Sequence, residues 1–196
     1  MILYACSTNP GKLNEFSLAA SDCSVPGPRI LLLPDLKRVT PPDETGATFE
    51  ENAAIKAVYY SGFTEELVFA DDSGLEVDAL GGEPGIFSAR YAGPEATDAA
   101  NNELLLRKLE RESNRHGRFV CAIALAKSGN LLKVVHGTVE GEILEGERGK
   151  NGFGYDPVFF YPPLGCGFGE LSAADKFAVS HRGNALRALF AHIGGT

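Results

Sequence analysis

Apolar positions along the chain change their spacing several times, and each change marks an element. "ILYAC" (2–6) is a short apolar run that predicts a strand, and "STNPG" (7–11) stops it. In "KLNEFSLAA", Leu13, Phe16 and Ala20 recur at helical spacing. "RILLLP" (29–34) predicts a second short strand closed by Pro34, and "TPPDETG" (40–46) a turn-rich loop. Thr48 followed by Glu51 forms a capping-box pattern, so a helix is expected through "FEENAAIKAVYYS". "ELVFA" (66–70) is the next strand, expected to end on Asp71-Asp72. An irregular stretch rich in Gly and Pro then runs to Thr97, and "ELLLRKLE" is helical.

"GRFVCAIALAK" and "LLKVVHGTVEGEIL" follow, separated by "SGN", which suits a hairpin. In the first of them both alternating faces are apolar, as a strand covered on both sides requires. "ERGKNGFGYDP" is a second glycine-rich loop, followed by "VFFYPP". The last helix, "HRGNALRALFAHI", has Ser180 as its expected N-cap. Strand–helix units around a long hairpin predict an α/β protein with a mixed sheet and flanking helices.

The totals narrow the functional classes. With 196 residues and 44% hydrophobic content, the chain supports one medium domain with its own core, with room for two lobes. The formal net charge of -8 argues against a nucleic-acid or membrane-surface partner, though a few local lysines can still hold a small anion. The N-terminal residues lack a basic, apolar secretory pattern, and "FVCAIALA" is too short to span a bilayer. Cys6, Cys23, Cys121 and Cys166 are scattered without CxxC spacing, which favours reduced thiols in a cytoplasmic protein over a zinc site.

Candidate chemistry gathers at the strand ends. The turn "STNPGK" leaves a strand and opens a helix, so backbone N–H groups and Lys12 could hold an anion; it is weaker than a Walker A signature. Lys56 shares a helix face with Asn52, Phe49, Ala53 and Tyr60. Asp71-Asp72 closes an apolar run with two adjacent carboxylates, which repel unless donors, solvent or a cation meet them. Glu44 is a loop acid able to share an ion with them. Any one of these acids reads most simply as a solvated loop end. Taken with two lysines, they favour a metal–phosphate site. Phe153, Gly154, Tyr155 and Asp156 form a loop whose aromatic faces can stack on a base. His181 and Arg182 open the last helix, where the helix dipole disfavours positive charge, so both are expected to have partners.

Five blocks, "STNPGKLNEF", "ETGATFEENAAIKA", "FADDSGLEVDALGGEPGIFSARYAG", "NGFGYDPVFF" and "SHRGNALRAL", occur in an order and spacing that resemble the inosine triphosphate pyrophosphatase family. The resemblance runs from about residue 3 to 190. It implies an ITPase-like α/β fold, one catalytic domain over 1–196 with two lobes around a nucleotide-binding cleft, and a homodimer. It also implies Mg²⁺-dependent hydrolysis of ITP, dITP and XTP to the monophosphate and pyrophosphate. Carried over by residue, Ser7, Thr8, Asn9, Pro10, Gly11 and Lys12 resemble the phosphate loop, and Lys56 the second phosphate lysine. Glu44 and Asp72 resemble the metal carboxylates, with Asp72 also the proton acceptor, Asp71 flanking them and Ser73 a substrate contact. Phe153 to Asp156 and Lys176 resemble the nucleoside pocket, and His181-Arg182 the reader of the base oxygen at C6. Asp175 stands where the family tends to have Glu, a conservative departure.

Overall fold

The computed structural model of the chain describes residues 1–21 and 28–194. Cys23 lies outside them. Seven strands hydrogen-bond in the order β2-β1-β3-β4-β5-β6-β7. They are β1 (Ile2–Ala5), β2 (Arg29–Leu32), β3 (Leu67–Val77), β4 (His116–Lys127), β5 (Asn130–Ile143), β6 (Phe159–Tyr161) and β7 (Cys166–Gly167). The helices are α1 (Pro10–Ser21), α2 (Phe49–Ser61), α3 (Asp98–Lys108), α4 (Ala173–Val179) and α5 (His181–Gly194). β1 pairs in parallel with β2 and β3, whereas β5-β6 and β6-β7 are antiparallel, so the sheet is mixed as expected.

The chain divides into two compact units. The first comprises Met1–Asp72, Cys121–Gly137 and His181–Thr196. Here Leu3, Ala5, Val68 and Phe69 are fully buried, and Phe16 of α1 meets Phe69 edge to face with ring centres 5.0 Å apart. From Cys121 to Ala126 every residue of β4 is buried, as the doubly apolar pattern predicts. The two strands turn at Ser128-Gly129, both in the left-handed region, which matches the twist of a tight hairpin.

The second unit comprises Ser73–Val120 and Thr138–Ser180. Its core joins Leu75 and Val77 of β3, Leu105 and Leu109 around the end of α3, Phe119, Ile143, Phe159 and Phe168. Phe119, Phe159 and Phe168 form one ring cluster, with centroid separations of 4.6–6.0 Å.

Two differences from the sequence reading bear on the site, while α3 begins at Asp98, five residues before the expected "ELLLRKLE". β3 does not end at Asp71-Asp72 but runs on to Val77, with both acids buried within it. Their charges meet cations from helices, so the strand need not stop to solvate them. Ser180 is not the start of the last helix alone: it also closes α4, a helix capped by Ser172, whose hydroxyl accepts from Asp175 N–H.

Candidate active site

In the first unit, the turn after β1 is built by its own side chains. Ser7 Oγ accepts from Asn9 N–H (3.3 Å), and Asn9 Oδ1 accepts from Lys12 N–H (3.1 Å). Asn9 therefore caps α1, with Pro10 in the first helical position, where a missing N–H does no harm. Capping fixes the turn that carries Lys12. Its Nζ lies 3.0 Å from Asp71 Oδ2, and the same oxygen accepts from Arg182 Nε at 3.1 Å. Arg182 NH1 also donates to Glu15 Oε2, one helical turn beyond Lys12. Arg182 and Asp71 are almost wholly buried. Burial pushes the Asp71 carboxyl up, but Lys12, Arg182 and Lys56 together outweigh it and hold Asp71 well below the carboxylate range. Burial works equally against the Arg182 cation, and Asp71 and Glu15 keep it charged.

A second ionic group in this unit centres on Lys56. Thr48 Oγ1 caps α2 by accepting from Glu51 N–H, while Glu51 Oε2 accepts from Ala47 N–H, one residue beyond the N-cap N–H of the usual reciprocal arm. Two turns into the helix, Lys56 Nζ donates to Asp72 Oδ1 (2.9 Å) and Glu44 Oε2 (3.1 Å). Asn52, on the same face, ties both acids down: its Oδ1 accepts from Gly46 N–H (2.8 Å) near Glu44, and its Nδ2 donates to Asp72 Oδ2 (3.4 Å). Burial would lower the Lys56 pKa, but Asp72, Asp71 and Glu44 raise it, so the ammonium stays charged. At Asp72 burial wins: the carboxyl sits above its ordinary value despite the hydrogen bond from Lys56, with Glu44 adding repulsion.

The oxygens of Glu44 and Asp72 thus share one cation. Among the described residues no group of three or more His, Cys, Asp or Glu side chains could hold a metal ion by itself. Two carboxylates are, however, the usual protein share for Mg²⁺ carrying phosphate and water ligands. The donors present fit that ion. Cys6, just before the turn, is held as a thiol, since burial pushes its pKa to about 12.

In the second unit Asp156 is the hub of the glycine-rich loop. Its Oδ2 accepts from Phe153 N–H (2.8 Å) and from Lys176 Nζ (2.5 Å), and Lys176 Nζ lies 4.5 Å from the centre of the Phe153 ring. Gly152 is required here. It adopts φ +78°, and a Cβ would stand 2.1 Å from Asp156 Oδ2. Of the two loop aromatics, Phe153 is half-buried, whereas Tyr155 is buried in the core with its hydroxyl on Ser88 O (2.8 Å). An aromatic face for stacking is therefore offered by Phe153.

The structure thus groups Lys12, Asp71 and Arg182, groups Glu44, Lys56 and Asp72, and groups Phe153, Asp156 and Lys176. Ser73 follows Asp72 within β3 and is partly buried, and His181 is buried at the start of α5. Sequence reasoning missed Glu15 and the double role of Asn52. The one signal for Glu15 in the sequence was an acid one helical turn after Lys12, beside the apolar Phe16.

These features define a mixed α/β protein whose first unit sets two acid–lysine groups between two capped helices and a strand. Residues 3–192 match the Ham1 family, and the chain belongs to that family. It is 50% identical over 193 residues to a dITP/XTP pyrophosphatase of Exiguobacterium sp. strain AT1b, covering 98% of this chain and 97% of the relative. Among solved structures, the Staphylococcus aureus Ham1 protein superposes with a TM-score of 0.87 at 43% identity, covering 100% of this chain and 99% of that one. A HAM1 protein from Coxiella burnetii gives a TM-score of 0.87 at 40% identity, with full coverage of both chains.

Proposed function

We propose that the protein is a nucleoside triphosphate pyrophosphohydrolase that removes nonstandard purine nucleotides. It hydrolyses ITP, dITP and XTP to the monophosphate and pyrophosphate with Mg²⁺ as cofactor. Family membership supports the activity, and the observation that carries the chemistry is Lys56 held between Glu44 and Asp72. Glu44 and Asp72 would hold the ion, which supplies charge neutralisation on the phosphates when bound. Lys56 and Lys12 turn from their carboxylates toward phosphoryl oxygens and stabilise charge that develops there. Asp72, held beside the phosphates at the middle of β3, accepts a proton from the attacking water. The water oxygen bonds to the α-phosphorus, the bond from that phosphorus to the α–β bridging oxygen breaks, and pyrophosphate leaves. No covalent nucleophile is required, in keeping with Cys6 remaining a thiol.

Phe153 and Lys176 are assigned to the nucleoside end, and Arg182, buried between two acids, to holding Asp71 and with it Lys12. Homodimer assembly and a cytoplasmic location complete the proposal; the latter is in keeping with the scattered cysteines. The test is to incubate the protein with ITP, dITP, XTP, ATP and GTP plus Mg²⁺ and assay pyrophosphate against orthophosphate. Pyrophosphate from the first three, absent when Mg²⁺ is chelated, is expected. Orthophosphate as the main product, or equal turnover of ATP, would contradict it.

A further inference from the structure

Gly154 sits at the centre of the loop assigned to the nucleoside, and both of its backbone polar groups are held by one helix. Its N–H donates to Asp98 Oδ2 (2.6 Å) and its C=O accepts from Asn102 Nδ2 (3.1 Å). Asp98 and Asn102 are four residues apart on α3, so their side chains stand one turn apart on the same face. Asn102 Nδ2 also lies 3.3 Å from Glu147 Oε1, at the start of the loop. The helix face therefore grips the loop at two places, with Gly154 flanked by Phe153 and, two residues on, Asp156.

Asn102 is a polar side chain in a buried position, and its amide N–H groups are spent on the loop. It is 2% exposed, and its Oδ1 finds no hydrogen-bond partner among the described residues. A buried acceptor left unpaired is unfavourable, and an apolar residue of similar size would avoid it. Such a residue could not donate to Gly154. The neighbouring Asn101 uses its amide fully on the segment 88–92, so α3 itself is anchored: its Oδ1 accepts from Ala92 N–H (2.8 Å), and its Nδ2 donates to Ser88 O and Ala89 O. A fixed helix then fixes the loop.

We propose that Asp98 and Asn102 are positioning residues for substrate: by clamping the N–H and C=O of Gly154 they set the Phe153 ring and the Asp156–Lys176 pair in the arrangement that receives the nucleoside. This rests on the assignment of that loop to the nucleoside. The clamp acts equally on bound substrate and on its transition state, so its loss raises KM and leaves kcat nearly unchanged.

The test variant is Asp98→Ala, because Asp98 is exposed and its removal leaves no cavity. Asp98→Asn keeps an acceptor for Gly154 N–H. Thr97→Ala is the control: Thr97 Oγ1 caps the same helix through Ala100 N–H (3.2 Å) but does not touch Gly154. Asp98→Ala should raise KM for ITP roughly tenfold, as loss of a charge-assisted hydrogen bond implies, with kcat within about twofold. Asp98→Asn should recover most of that loss. Thr97→Ala should lower the melting temperature by several degrees and raise KM far less than Asp98→Ala does, since the Asp98 carboxylate is retained. An unchanged KM in Asp98→Ala, or an equal rise in Thr97→Ala, would overturn the clamp. Should wild-type protein fail to turn over ITP, the underlying assignment fails instead. The clamp is then read by hydrogen exchange of the 147–156 segment, which must quicken far more in Asp98→Ala than in Thr97→Ala.

Discussion

The first unit's candidate charges, Lys12, Lys56, Asp71, Asp72 and Arg182, stand on helix faces and a strand and meet opposite charges, whereas the second unit has one such ion pair, Asp156 with Lys176 of α4, and a loop held by hydrogen bonds to its backbone. Asp71 alone receives Lys12 and Arg182, and Asp72 receives Lys56 and Asn52. In the loop, by contrast, Gly154 is gripped by Asp98 and Asn102, and Phe153 N–H by Asp156. The difference suits two tasks. Handling a triphosphate calls for charge held ready in a low-dielectric setting, where unpaired ions are costly and must wait in pairs. Receiving a base calls for shape, which backbone bonds and glycine conformations set. Variants in the first unit should therefore act on stability and turnover, and variants in the second on substrate affinity.

Arg182→Ala should give the largest effect. It leaves Glu15 and Asp71 buried without their shared cation, which typically costs about 3–5 kcal/mol. Thermal unfolding should fall by roughly 10 °C. An unchanged melting temperature with a selective loss on ITP over ATP would instead make Arg182 the reader of the base oxygen.

Asp72→Asn keeps the shape but removes the proton acceptor, so kcat should fall on the order of a hundredfold or more with an unchanged circular dichroism spectrum. Retention of more than about a tenth of kcat would end its assigned role. Gly152→Ala carries the comparison into the other unit. The left-handed backbone and the close Asp156 oxygen predict a local cost of roughly 1–3 kcal/mol, read as a rise in KM for ITP with kcat within a few-fold. A fall in kcat at constant KM would remove the division of labour.

The smallest effect concerns the thiols. Burial pushes both Cys6 and Cys121 up to about 12, so neither ionises appreciably below about pH 11. Iodoacetamide at pH 8, followed by peptide mapping of native protein, should find Cys166 labelled before either of them. Rapid labelling of Cys6 would reopen a thiol role beside the phosphate turn.

What could be read from sequence follows the same contrast. Period and capping located β1, α2, the β4–β5 hairpin and α5, because those signals are local. Thr48 and Glu51 are three residues apart, and Ser128-Gly129 is a turn in itself. The strand through Asp71-Asp72 was misplaced because two adjacent acids look like solvated ends unless their partners are known. One of those partners, Arg182, is 111 residues away. Glu15 was missed for the same reason, its partner lying 167 residues along the chain. Asn102 carried no signal, since a polar residue on a helix ordinarily faces water. Only the folded loop brings Gly154 to it.

The most direct test of the whole account is where the attacking water ends up. ITP should be hydrolysed in ¹⁸O-enriched water with Mg²⁺ and the products separated and weighed by mass spectrometry. Attack on the α-phosphorus places the label in the inosine monophosphate and leaves pyrophosphate unlabelled. Label in pyrophosphate would mean attack at the β-phosphorus, and would contradict the assignment of Asp72 as the group that takes a proton from water beside the α-phosphate.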